Sequence, residues 1–389
     1  MKAAAITFTY LAMAATTLAA DGVVWQQEFT CDQNSRCKVG AMLVNQENGE
    51  VTVLGTSERA GQGRAEVDYW LWRVGPNGGG GRKTLLGPAS FEVPALGLEA
   101  AIERDTGRIA WLSRGDRQQA LLNVIGRDLQ PRTFPIAPEE KWSKGVLFRD
   151  MALCRDGTML AVGRDSDSSG LIVKADLSGN VTWKEVYKRD QVTILSSVAC
   201  IPDGDGFYVA GLSAEMASAM AFAKPPTVWL LRYDGNGKLK ASDSFEGGMG
   251  LLAAPTAICL SSGTVAVAYD KSENPMVEDK HVRAYTPQLE CMYDKVLFRT
   301  DEEESLGYFG LCSISENQFV AASGIISAGL RLYECSADGT IEKTLQVTDK
   351  LGAGGLCVGY LEGKILMAFA AGANDGSSKA PIKLLALRP

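Results

Sequence analysis

Histidine is almost missing: the 389-residue chain has one, His281. That excludes zinc sites built on histidine pairs, such as HExxH, and leaves any catalytic triad a single imidazole to build on. A basic excess is missing too, because 39 Lys+Arg face 46 Asp+Glu and the net charge is −7. Nucleic-acid binders need enough cationic side chains to displace counterions from phosphates, so DNA and RNA are not expected partners. After the first twenty residues no run of 18 apolar residues occurs, and no long segment keeps a helical apolar period. A later helical membrane span and a helical solenoid are both excluded on that ground. What is present is ordinary globular composition, 46% hydrophobic and 22% charged, with 42 glycines.

Met1 to Ala20 has a single basic residue, Lys2, then an apolar run ending in Leu18-Ala19-Ala20 before the acidic Asp21. This is the order of a secretory signal peptide. An uncleaved anchor is the alternative, but four threonines and many small alanines make the run only weakly apolar. Asp21 rather than cysteine follows the cleavage site, so no lipid anchor is indicated. The expected organisation is a signal peptide over 1–20 and one domain over 21–389. The mature protein is expected to be secreted or periplasmic, without stable membrane insertion. In such a compartment Cys31 and Cys37, six residues apart in a polar loop, are expected to form a disulfide.

Five of the nine cysteines carry a different signal. Cys154, Cys200, Cys259, Cys312 and Cys357 each end a short apolar run just before a polar turn, at spacings of 46, 59, 53 and 45 residues. The surrounding segments, such as MALCRDGTMLAVG and SVACIPDGDGFYVAG, read strand, turn, strand. Two earlier segments, GAMLVNQENGEVTVLG and LEAAIERDTGRIAWLS, fit the same frame without cysteine, which makes seven copies. A third β-rich run and a fourth strand follow most of them, as in LIVKADLSGN and NVTWKEVY, with Asp-Gly, Asn-Gly and Gly-Gly pairs supplying the positive φ of tight hairpins. Units of this size cannot bury their faces alone and must stack into an array.

The seventh unit supplies only three strands before Pro389. The missing fourth is found at the other end: Gly22 to Phe29 matches the fourth-strand segment Gly179 to Val186, with Trp25 on Trp183. These repeats resemble exported members of the seven-bladed β-propeller superfamily, whose blades read roughly DGxxxVAG and then LxRxDxxGxxxW. The resemblance spans the whole mature chain, best over Val146 to Phe245. It implies an all-β fold, a single propeller of seven four-stranded antiparallel blades closed by the N-terminal strand. WD-type signatures and a recurring sialidase Asp-box are absent, and propellers serve as enzymes, lectins and scaffolds alike, so the resemblance implies a fold and no activity.

In that fold the loops from second to third strands share one face with the connections between blades. Binding usually rests on such loops. The candidate binding residues on that rim are therefore Arg59, Arg114, Asp116, Arg164 and Asp270, with Arg149 and Asp150 near the innermost strand of blade three. One loop also matches a calcium-loop spacing: Asp165, Asp167, Ser169 and Asp176 stand at positions 1, 3, 5 and 12, with Gly170 at position 6. A Ser/Gly hairpin tip explains the same letters without calcium, the sole cofactor the sequence suggests.

The five repeated cysteines are expected to be small apolar fillers pointing around the ring rather than toward one another. Cys291 and Cys335 lie in outer strands. Ser213 to Ala223, rich in alanine with Met216 and Met220 four apart, reads as a helix-like insertion packed on its own blade. His281 reads as a surface or hydrogen-bonded structural residue, and Asn180 begins the sole glycosylation sequon. The expected function is a secreted, non-catalytic binding or scaffold protein that holds a protein or a carbohydrate on its loop face. The alternative is a carbohydrate-active hydrolase or lyase with its site at the channel mouth.

Overall fold

A computed structural model describes residues 22–30, 35–59, 66–88, 100–102, 107–114, 120–126, 129–136, 145–202, 204–218, 221–249, 255–260, 262–271, 279–299, 306–325, 329–347, 349, 351–371 and 381–388. Segment 1–20, Cys31 and Asp116 lie outside them. The described residues contain no helix; they form seven four-stranded antiparallel sheets and one small two-stranded hairpin. Blades one to six run in chain order over 35–88, 100–135, 147–187, 192–246, 256–299 and 306–347. The seventh is built from Leu351–Leu361, Lys364–Ala371 and Ile382–Leu387, with Val23–Phe29 as its outermost strand. The innermost strands touch their neighbours in sequence, and that of blade seven touches that of blade one, so the ring is closed.

Burial follows position in the blade. The second strands are sandwiched between neighbouring sheets and therefore read as continuous apolar runs: Phe207–Ala214 and Val265–Asp270 are buried at every position. Outermost strands face solvent on one side and alternate, as Leu239–Glu246 does. Their charged residues, such as Lys184 and Glu185 or Lys240 and Asp243, discourage pairing with another sheet edge.

The seam matches the sequence expectation. Val23 pairs with Leu387, Trp25 with Ala386 and Phe29 with Ile382, and the Arg388 amide donates to the Gly22 carbonyl at 2.8 Å. Trp25 also reaches into blade one, where its Nε1 donates to the Pro76 carbonyl at 3.2 Å. Phe29 is buried with its ring 4.8 Å from that of Trp70 and 5.6 Å from that of Trp72.

Two sequence expectations are corrected. The alanine-rich insertion in blade four is not helical: Met216–Ser218 pairs with Ala221–Phe222 as an antiparallel hairpin, and the Ala223 amide bonds the Glu215 carbonyl at 2.8 Å. Isolated helices shorter than about 12 residues are marginal, whereas this insertion pairs with itself as antiparallel strands. The second correction concerns the repeated cysteines. Those of blades three and four do point toward one another, with Cys154 and Cys200 Sγ atoms 3.8 Å apart. The innermost strands of blades three and four lie side by side, which brings these two positions together.

Candidate functional site

Of the predicted rim residues, Arg59, Asp150 and Asp270 are engaged within the protein. Arg59 ends the second strand of blade one and ion-pairs with Asp68. Asp270 is buried and holds the Lys280 ammonium at 3.2 Å. Arg164 ends the second strand of blade three opposite Leu147 and Gly170, and Arg149 is half-buried on the innermost strand. Arg114 ends a strand of blade two, while Asp116 falls outside the described residues. Cys37 is disulfide-bonded; its expected partner, Cys31, also falls outside them.

Asp150 is a clasp between blades. Its Oδ2 accepts from the Ser197 hydroxyl at 2.9 Å and from the Val198 amide at 2.7 Å, both on the innermost strand of blade four. Ser197 Oγ in turn accepts from the Ala257 amide of blade five at 3.1 Å. A polar chain thus links three neighbouring blades beside the channel. Replacing Asp150 with alanine leaves two buried donors, Ser197 and Val198, without this acceptor and is expected to cost about 2 kcal/mol, read as a lower urea midpoint at unchanged slope. Asp150→Asn, which keeps one acceptor oxygen, is expected to lose less.

The proposed calcium loop does not assemble. Asp165 Oδ1 accepts the Asp167 and Ser169 amides, each at 2.9 Å, which closes the turn before the third strand. Asp176 closes the turn after it, accepting the Ser178 and Asn180 amides at 2.8 and 2.9 Å. The six-residue strand Gly170–Ala175 lies between them. At about 3.3 Å per residue that separation is about 20 Å, far too long for ligands of one ion.

His281 sits in a second inter-blade network. Its Nδ1 lies 2.9 Å from Asp294 Oδ1, while the Tyr269 hydroxyl donates to Asp294 Oδ2 at 2.7 Å. Arg283 lies 3.7 Å from both Asp294 and the blade-four residue Asp243, and its guanidinium covers the Phe245 ring at 4.5 Å. Burial and the Asp294 carboxylate push the Tyr269 hydroxyl well above its ordinary value. Burial also works to raise Asp294, but hydrogen bonds from His281 and Tyr269 outweigh it and hold that carboxyl low. The cluster ties blade four to blade five.

A cavity opens on the opposite face, among the turns between first and second and between third and fourth strands. It measures about 370 Å³ and lies between blades three and four. Arg155 and Asp156 line it from one turn, Gly204 to Gly206 from another, and Asp234 to Asn236 from a third. Lys174 extends from the third strand of blade three to bridge them, its Nζ donating to Asp156 Oδ2 at 3.0 Å and to the Gly235 carbonyl at 3.3 Å. Burial tends to raise Asp156, but hydrogen bonds from Thr158 and Lys174 overcome it and keep the carboxyl below its usual range. The Cys154–Cys200 pair and Phe207 also line this space.

The polar residues of this cavity carry no signal in the sequence, because each turn on its own looks like ordinary hairpin punctuation. The cavity exists only because two blades place three such turns side by side.

No family model and no curated protein matches this chain. Among solved structures, the chain is similar to the polysaccharide lyase Uly1, with a TM-score of 0.57 at 9% identity over 94% of this chain and 99% of that one. It is also similar to the β-propeller domain of the Trilobed protease from Pyrococcus furiosus, with a TM-score of 0.51 at 10% identity, covering 90% of this chain and 93% of that one. Identities this low speak for shape alone. Together with the seven sheets and the closed ring, they make the chain a seven-bladed β-propeller.

Proposed function

We propose that this chain is an exported binding propeller that holds a glycan, without chemistry of its own. The observation that carries the reading is the polar cavity between blades three and four, where Lys174 and Arg155 stand beside Asp156, Asp205 and Asn236. Donors and acceptors alternating over so small a volume suit the hydroxyls of one or two sugar residues, each of which both donates and accepts. A protein ligand is the other outcome of the same test, since a polar side chain fits the same groups.

The test is a glycan array and a peptide array probed with the purified protein, with reducing ends and unsaturated sugars monitored in parallel. Binding without turnover is expected, weakened at least about tenfold by Lys174→Ala, because that ammonium faces the cavity from one side and holds Asp156 from the other. Glycan binding indifferent to Lys174→Ala and Asp156→Ala would remove the cavity from the account.

A second reading, a carbohydrate-active hydrolase or lyase, is favoured by one grouping: His281, Tyr269 and Arg283 around Asp294 place an imidazole, a phenol and a cation within one network. Sugar release abolished by His281→Ala would establish it. Sugar release abolished by Asp150→Asn would place the chemistry at the channel instead.

A further inference from the structure

Of the five cysteines at the repeated position, three satisfy their thiols on backbone. Cys259 Sγ approaches the Leu260 carbonyl at 3.5 Å, Cys312 the Ser313 carbonyl at 3.3 Å and Cys357 the Gly40 carbonyl at 3.6 Å. The other two, Cys154 and Cys200, meet each other across the boundary between blades three and four, sulfur to sulfur at 3.8 Å. Both are half-buried and both line the 370 Å³ cavity, so a small reagent can reach them. The backbone around them is fixed: the Cys154 amide bonds the Thr158 carbonyl at 2.7 Å, and Cys200 ends a ladder in register with Phe207.

We propose that Cys154 and Cys200 form a redox-active dithiol at the floor of this cavity, which closes to an inter-blade disulfide by exchange with a small-molecule disulfide. Bonding requires the sulfurs to approach from 3.8 Å to about 2.05 Å. Cys154 is the attacking thiol. Its sulfur accepts the Cys200 S–H, and that contact, with the Thr158 hydroxyl and the Lys174 ammonium, holds it below an ordinary thiol although burial and Asp156 oppose them. Cys200 is held above an ordinary thiol by its bond to Cys154, by burial, and by the Asp150 and Asp156 charges. At the equivalent positions Cys259 and Cys312 are pushed up to about 12 by burial.

The exchange proceeds in two displacements. The Cys154 thiolate attacks one sulfur of R–S–S–R, forming Cys154–S–S–R and releasing RS⁻. Cys200 then gives up its proton and attacks Cys154 Sγ, forming the Cys154–Cys200 bond and releasing the second RS⁻. Both cysteine protons end on the released thiols, so the pair is oxidised by two electrons and R–S–S–R is reduced to two R–SH. This holds whatever the cavity binds and does not rest on the glycan reading.

The experiment uses the reduced full-length protein incubated with oxidised glutathione, trapped with an alkylating reagent, digested and analysed by mass spectrometry. The expected product is a Cys154–Cys200 cross-linked peptide lacking two hydrogens, forming at least about tenfold faster than any adduct at Cys259 or Cys312. Cys200→Ser should accumulate glutathione on Cys154, and Cys154→Ser should abolish both products. The alkylation pH profile of Cys154 should lie below those of Cys259 and Cys312 and move up in Lys174→Met. A wild-type pair that stays reduced while other thiols react overturns the proposal, as does glutathione on Cys200 in Cys154→Ser.

Discussion

Deleting residues 22–29 is expected to abolish cooperative unfolding and turn the protein into a self-associating species. The strand covers the edge of Ile382–Leu387 with a register from Val23↔Leu387 to Phe29↔Ile382, and it brings Phe29 against Trp70 and Trp72 of the next blade. Deletion exposes a buried sheet edge to other chains and empties the site of a buried aromatic ring. The single substitution Phe29→Ala is expected to cost about 3–5 kcal/mol by the cavity it leaves. Domains retain only about 5–15 kcal/mol in total, so losing the whole strand removes most of the margin. Size-exclusion chromatography and guanidinium unfolding of the deletion variant check this, and a synthetic peptide of residues 22–30 added in trans should restore a monomer. A deletion variant that stays monomeric with an unchanged midpoint would show that blade seven does not need this strand.

The second large effect concerns how neighbouring blades lock. Trp183, third residue of the outermost strand of blade three, lies over Gly237 in the third-to-fourth turn of blade four; a Cβ on Gly237 would run into the Trp183 ring. Gly237 has φ +79, so any side chain there suffers both the left-handed conformation and the ring. Trp25 stands over Gly78 and Tyr293 over Gly339 in the same way. In blade five the turn position is Leu289, at φ +64, and the residue equivalent to Trp183 on blade four is Ala241, in the same apolar cluster. The chain thus fills one space in two ways, ring over glycine or leucine over alanine.

Gly237→Ala is expected to cost about 2–4 kcal/mol, adding left-handed strain to overpacking. Much of the overpacking should vanish in a Trp183→Ala background, giving a coupling of about 1–3 kcal/mol in a double-mutant cycle. Conversely, Ala241→Trp should be strongly destabilising alone and recover in combination with Leu289→Gly. Urea midpoints of the four single variants, the two double variants and the wild type decide it. Strict additivity in both cycles would mean that the ring and the turn do not share a space.

Much of this fold was legible before any coordinates. The seven strand-turn-strand segments, the third and fourth strands and the match of Trp25 to Trp183 each rest on local pattern. Repeats make local pattern sufficient, because each unit has the same neighbours as the next. The insertion at Ser213 was misread for the complementary reason. Alanines and methionines four apart satisfy a helical period, but antiparallel pairing within the insertion wins over a helix too short to sustain itself.

The sites behaved differently. Asp150, Asp165 and Asp270 were picked out as polar residues in loops, and the structure engages all three within the fold: one across a blade boundary, one in a turn, one in a buried ion pair. Conversely, the cavity residues Arg155, Asp156, Lys174 and Asp205 belong to no binding motif in the sequence. The Cys154–Cys200 contact contradicted an explicit expectation.

By itself, then, the sequence determined the strand order, the number of blades and the partner that closes the ring, since these follow from period, turn chemistry and the apolar runs that a sheet buried on both faces requires. Only the tertiary structure decided which polar groups are spent and which face a cavity. Pairing between charges, thiols and turns of adjacent blades depends on distances across a boundary some fifty residues apart in the chain, and no periodicity encodes a distance.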